Sequence, residues 1–294
     1  MLSLITRLFA SGFYPTERAT KTVAVVVPLS NRLKLTVDEQ ISLRHLIHFL
    51  GHYDKYLIAP KGSKVAWPGF ETRYFSRRFF GSMQAHGRLL YWPEFYKSFE
   101  DYRYILIYHL DALVFADELL DWCQTDIDYI GAPWIPCADT PWVEEPRVGN
   151  GGFAIMKITM VLKVLCERYR TEPRKYWEDR FTGLFRTLQT ILRYPRRFTP
   201  SWLRGRFTQS LRKRLQSMDH LEVNVRNNDL FWSWQAVKYV PEFKIPDWKT
   251  GLRFAFEAAP RECFELNERK LPFGCHAWSR YDRAFWEPYM LPDE

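Results

Sequence analysis

The chain has 294 residues, 47% of them hydrophobic and 26% charged. This is globular composition, which excludes a disordered chain and leaves room for one large α/β domain or two ordinary ones. Aromatics reach 17%, and rings at that density point to surfaces that stack on sugars or bases, or that sit at a membrane interface. The net charge of +8 makes nucleic acid, anionic lipid and phosphorylated substrates candidate partners. Five cysteines at irregular spacing, with no CxxC pair, argue against a zinc ribbon or a disulfide framework and fit reduced thiols in the cytoplasm.

No apolar run approaches the roughly 20 residues that a bilayer crossing needs. Residues 1–21 read as an N-terminal segment, with MLSLITRLFASGFYP either a frayed terminus or a short interfacial helix. Residues 22–294 read as a single domain. Residues 22–28 (TVAVVVP) are a β-branched apolar run closed by proline, the pattern of a first buried strand. Thr36 and Glu39 have capping-box spacing before a helical pattern that reaches Leu50. Residues 55–60 (KYLIAP) follow as a second strand, which predicts a right-handed β-α-β unit. A third strand is expected at 70–75, an aromatic helical stretch from 81 to 99 broken by Pro93, and a strand at 104–108 that resumes at 112–115. A short helix at 118–123 and a strand near 127–131 complete an alternation that argues for an α/β sheet.

Residues 167–218 hold 14 Lys and Arg against 4 Asp and Glu, a surplus larger than the charge of the whole chain. Trp177, Phe181, Leu184, Phe185, Leu188, Ile191 and Leu192 recur there at helical spacing. The stretch reads as a basic amphipathic insertion, either a solvated helix pair or an anionic membrane surface contact. An aromatic helix is expected at 229–240.

Five motifs carry candidate chemistry. In LIYHLDALVF (106–115) Asp111 interrupts an apolar run, and a buried carboxylate needs a metal, a nearby Arg or a turn to cap. DYIGAPW (128–134) ends in Trp134 after a Gly and a Pro that turn the chain. VGNGGF (148–153) is either a plain turn or a loop that approaches a ligand closely through Asn150, Gly151 and Gly152; it is not a dinucleotide fingerprint. NNDLFWS (227–233) places Asp229 at a helix start, beside Asn228. LPFGCHAW (271–278) offers His276 as a structural imidazole or a metal ligand, followed by Trp278.

The ordered set of these motifs resembles a bacterial domain family of poorly defined function that is similar to GT-A-type glycosyltransferases. The resemblance implies a Rossmann-type mixed α/β sheet flanked by helices, carrying the basic insertion, that binds a nucleotide sugar. By the same resemblance Asp111 matches the last carboxylate of an Asp-x-Asp metal motif whose first position is His109 here, and His276 completes a Mn²⁺ or Mg²⁺ site. VGNGGF resembles the loop that shapes the donor and acceptor pocket, with Pro28, Asn150, Gly151, Gly152 and Asn228 lining it and Trp134 and Trp278 stacking on sugar faces. Asp229 resembles the general base of inverting members. The implied activity is transfer from a nucleotide sugar, UDP-sugar favoured, to a glycan or lipid-linked hydroxyl, as a polysaccharide-biosynthesis enzyme in the cytoplasm or peripheral on the inner face of the membrane. The alternatives are an inactive glycan-binding scaffold of the same fold, kept open by His109, or a nucleic-acid-binding protein, disfavoured because no such motif is present.

Overall fold

The computed structural model describes residues 19–29, 34–176 and 228–292. Residues 1–18 of the N-terminal segment and the part of the basic insertion from 177 to 218, including its Trp177–Leu192 pattern, therefore lie outside the described residues, while the first strand begins at Lys21. Within them, no helix is long and apolar enough to cross a membrane.

A six-stranded sheet runs in the order β3-β2-β1-β4-β9-β6. Strands β1 (Lys21–Pro28), β2 (Asp54–Pro60), β3 (Glu71–Phe75) and β4 (Tyr102–Tyr108) are parallel to one another. Strand β9 (Phe153–Lys157) is antiparallel to both β4 and β6 (Tyr129–Gly131). The expected mixed α/β sheet flanked by helices is thus what the chain forms. β1 and β4 are apolar at nearly every position because both faces are covered. Val23, Val25, Val27, Tyr104 and Leu106 pack on one side with Leu46 and Leu50 of α1 (Val37–Leu50). Ala24, Val26, Ile105 and Ile107 pack on the other with Leu162 and Leu165 of α5 (Ile158–Thr171). The capping box at α1 is present, with Thr36 and Glu39 each accepting the other's backbone N–H.

One expectation holds and one is corrected. The 81–99 stretch forms two helices, α2 (Met83–Leu89) and α3 (Pro93–Lys97), because proline is placed at the first turn of the second. The run at 112–115 does not continue β4. Ala112 N–H donates to His109 O (3.0 Å), which turns the chain, and β5 (Leu113–Val114) joins β10 (Ala255–Phe256) and β11 (Gly274–Cys275) in a separate three-stranded sheet in the order β10-β11-β5; the short helix α4 (Leu119–Gln124) leads on to β6, and β7 (Pro133–Trp134) pairs with β8 (Arg147–Val148).

The first residues of the basic stretch belong to the body. Arg168, on the last turn of α5, is 3% exposed, and its guanidinium lies over the rings of Tyr91 and Phe231. Tyr169 OH donates to Tyr91 O (2.8 Å), and Tyr91 meets Phe231 at 4.9 Å between ring centroids. The chain on either side of residues 177–227 is therefore fastened around Tyr91.

Candidate active site

Three strand pairings gather the site. In parallel α/β sheets ligands bind beyond the carboxyl ends of the strands, and β4 delivers His109 and Asp111 there. Because β9 is antiparallel to β4, with Phe153 opposite Tyr108, the residues before β9 sit at the same end, and His109 N–H donates to Gly152 O (2.8 Å). The antiparallel pair of β5 with β11 (Gly274–Cys275) brings His276 beside Asp111, and Trp278 N–H donates to Asp111 O (3.2 Å). The parallel pair of β10 (Ala255–Phe256) with β11 sets Glu257 next to His276.

His109, Asp111 and His276 each offer a ligand atom within 4.8 Å of the others. His276 Nε2 lies 3.2 Å from Asp111 Oδ1, and His276 Nδ1 donates to Glu257 Oε1 (2.9 Å). Glu257 is 7% exposed and also accepts from Asn150 Nδ2 (2.6 Å, on Oε1) and Trp134 Nε1 (2.9 Å, on Oε2). His109 Nε2 and His86 Nε2 are in hydrogen-bonding contact at 3.1 Å. Burial would push His276 down, but the Asp111 and Glu257 carboxylates outweigh it and hold the imidazole up at about 10. Burial pushes Asp111 up, and the His276 charge outweighs it, so the carboxyl stays below the usual range. Burial, with His86 and His276 nearby, pushes His109 down to about 3, and burial takes His86 to about 4.

Asp229 stands on the other side of the glycine loop, at the start of α6 (Asn228–Leu230). The expected aromatic helix is interrupted here by wider π-type turns at Phe231–Gln235. Gly151 N–H and Asn228 Nδ2 (2.9 Å) donate to the carboxylate. Burial, reinforced by Glu257, raises Asp229 from the ordinary 3.8 to about 7, against the lowering effect of His276 and of the Gly151 bond.

The two glycines are required by close approach. A Cβ on Gly152 would lie 2.0 Å from His276 Nε2, and one on Gly151 would lie 2.7 Å from Asp229 Oδ1. The loop therefore holds the imidazole and the carboxylate on adjacent residues. Gly152→Ala is expected to drive His276 off Asp111 with the main sheet intact and, at the cation centre proposed below, to weaken divalent-cation binding more than about tenfold. Cation titrations followed by thermal melts, with circular dichroism for the fold, check this; unchanged affinity refutes the close contact.

Three expected pocket residues serve the frame instead. Trp134 is 6% exposed, with its indole N–H on Glu257. Trp278 is fully buried, with Nε1 donating to Ser42 Oγ (3.0 Å) and Arg283 over its ring. Neither presents a face to a sugar; both indoles are covered because their N–H groups have protein partners. The Asn150 amide is taken up by Glu257 and by Gly152 N–H (2.7 Å). Among the described residues the exposed indoles are Trp142 and Trp234, and Arg147, directly before VGNGGF, lies over Trp234. Pro28 closes β1 on the same sheet edge as the cluster. Sequence reasoning misses Glu257 and His86 and leaves His109 outside the ligand set. A carboxylate inside AFEAAP is the same signal as Asp111; His86 carries none.

A family model described as "Protein of unknown function (DUF5672)" matches residues 69–276. The chain belongs to this family. The matched stretch of the DUF5672 domain contains His86, His109, Asp111, Asn150–Gly152, Asp229, Glu257 and His276. No curated protein matches the chain. Among solved structures it is similar to the apo-form glycosyltransferase GlyE of Streptococcus pneumoniae TIGR4, at 15% identity and a TM-score of 0.44, over 93% of this chain and 61% of that one. The chain thus spans about three fifths of the length of that protein.

The cluster fits a divalent cation. His276 Nε2 is buried without a hydrogen-bond partner, although Asp111 is near, and both imidazoles are oriented from behind by a second group. Such outer partners are usual for metal-ligating histidines.

Proposed function

We propose that the protein is a cation-dependent glycosyltransferase that passes a sugar from a nucleotide-sugar donor to an acceptor hydroxyl with inversion. The observation that carries this reading is the meeting of Asp111, His276 and Asp229, remote in sequence, around one glycine loop at the carboxyl end of β4. His109, Asp111 and His276 would hold the cation, which when bound offsets the charge that develops on a departing diphosphate. Asp229, with its pKa near neutral, takes the proton from the attacking hydroxyl. Asn228 and the Gly151 N–H hold that carboxylate in place, and Glu257 fixes the ring of His276. Gly151 and Gly152 leave the space beside the two functional groups free of side chains. Trp234, exposed and near the loop through Arg147, is the candidate platform for a sugar face.

Thermal melts with UDP-, GDP- and CMP-sugars, with and without Mn²⁺, test the reading, because a ligand that binds the native state alone stabilises it. A cation-dependent rise with one nucleotide class is expected, and Asp111→Asn is expected to remove it. Equal donor affinity in that variant rejects the ligand role, and no response to any nucleotide sugar rejects the transferase.

A further inference from the structure

The donor set at the cluster is two imidazoles and one carboxylate, whereas the Mn²⁺ or Mg²⁺ expectation came from a motif made of two carboxylates. We propose that the centre formed by His109, Asp111 and His276 takes a first-row transition-metal dication and discriminates against Mg²⁺. This rests on the cluster being a cation centre, as above, and narrows which cation.

The argument is one of ligand chemistry. Mg²⁺ is a hard ion that prefers oxygen ligands in near-octahedral geometry and parts with its waters reluctantly. Imidazole nitrogen favours the later first-row ions, and for a given nitrogen–oxygen set affinity rises from Mn²⁺ through Co²⁺, with Zn²⁺ also bound more tightly than Mn²⁺. Two histidines and one carboxylate with open positions is the arrangement that such ions accept. Both rings are built for the task. Glu257 fixes His276 through Nδ1, which leaves the enclosed Nε2 facing the Asp111 carboxylate at 3.2 Å. His86 bonds to His109 and holds its plane. The nearby carboxylates are committed elsewhere: both oxygens of Glu257 accept protein N–H groups, and Asp229 accepts from Asn228 and Gly151. Among the described residues the site therefore lacks the second hard carboxylate that a Mg²⁺ centre uses, and Asp111 supplies the charged oxygen.

The full chain, stripped with a chelator, is titrated separately with Mg²⁺, Mn²⁺, Co²⁺ and Zn²⁺, with calorimetry and thermal melts as readouts. Co²⁺ and Zn²⁺ are expected to bind more tightly than Mn²⁺, and Mg²⁺ at least about a hundredfold more weakly than Co²⁺. The Co²⁺ form is expected to show visible d–d bands without a thiolate charge-transfer band, which separates this centre from the five cysteines and needs no variant. His109→Asp is expected to close the gap between Co²⁺ and Mg²⁺ by at least about tenfold, because it restores a hard oxygen donor. Mg²⁺ binding within about threefold of Co²⁺, a thiolate band, or no binding of any of the four ions overturns the proposal. Parallel UDP-, GDP- and CMP-sugar titrations separate the two readings. Selectivity for Co²⁺ with no nucleotide-sugar binding sinks the transferase and supports this inference. Nucleotide-sugar binding promoted equally by Mg²⁺ and Co²⁺ supports the transferase and sinks the selectivity.

Discussion

Asp229→Asn is expected to abolish transfer while making the folded chain more stable at pH 8. The two effects have one cause. Burial and the proximity of Glu257 raise Asp229 from 3.8 in an unfolded chain to about 7 in the native one. Between those values the folded protein holds a proton that the unfolded chain has released. The contribution to stability is therefore complete below about pH 3.8 and is lost as the pH rises through about 7. Above that point the native state bears a poorly solvated carboxylate. Asparagine keeps the shape without the charge, so at pH 8 the variant is expected to be more stable by about 2 kcal/mol, and at pH 4 the two are expected to melt together. In its proposed role as base, the carboxylate is expected to accelerate transfer by about 10² to 10⁴, and the wild-type rate is expected to rise with pH through a midpoint near 7. Melts across the pH range and turnover of the identified donor check both arms. A variant with near-normal turnover excludes the base; one destabilised at pH 8 excludes the buried charge.

Glu257→Gln carries the largest expected loss of stability. The carboxylate accepts from Trp134, Asn150 and His276 at once. A glutamine amide presents an NH₂ on one side, so at least one N–H donor faces another donor. It also takes a negative partner from the charged imidazole of His276. Leaving a buried donor unsatisfied costs about 1–3 kcal/mol and stripping a buried charge of its partner about 3–5. His276 keeps Asp111 at 3.2 Å, so the two costs do not add in full; a loss of about 3–5 kcal/mol in denaturant unfolding is expected, with cation affinity at the proposed centre down about 10–100-fold because the ring of His276 is no longer fixed. An unfolding free energy within about 0.5 kcal/mol of the parent refutes the account.

The strands of the main sheet are legible where local and global preferences agree. Residues 22–28 and 104–108 are apolar throughout because they lie in the middle of a sheet covered on both faces, and the Thr36–Glu39 cap is a purely local interaction. Strand β9 is not legible. It passes directly into α5 at Lys157–Ile158 with no glycine, proline or cap to mark the change from strand to helix. Asp111 stands out because a carboxylate in an apolar run is costly; Glu257 is in the same position but directly after a two-residue strand, too short to form a pattern. The tryptophans mislead because residue type records the capacity to stack on a sugar, whereas exposure is decided by partners far along the chain, Ser42 for Trp278 and Glu257 for Trp134. The ligand role proposed for His109 depends on His276 arriving through the β5–β11 pairing, a contact between segments more than 150 residues apart.

The anchoring of both flanks around Tyr91 has an evolutionary corollary. The two described flanks share one aromatic partner, so a substitution at Tyr91 acts on both at once: removing its ring takes away a surface under the Arg168 guanidinium and a neighbour of the Phe231 ring. Selection therefore holds this one position for two segments of the chain, and a change that suits one flank must also suit the other.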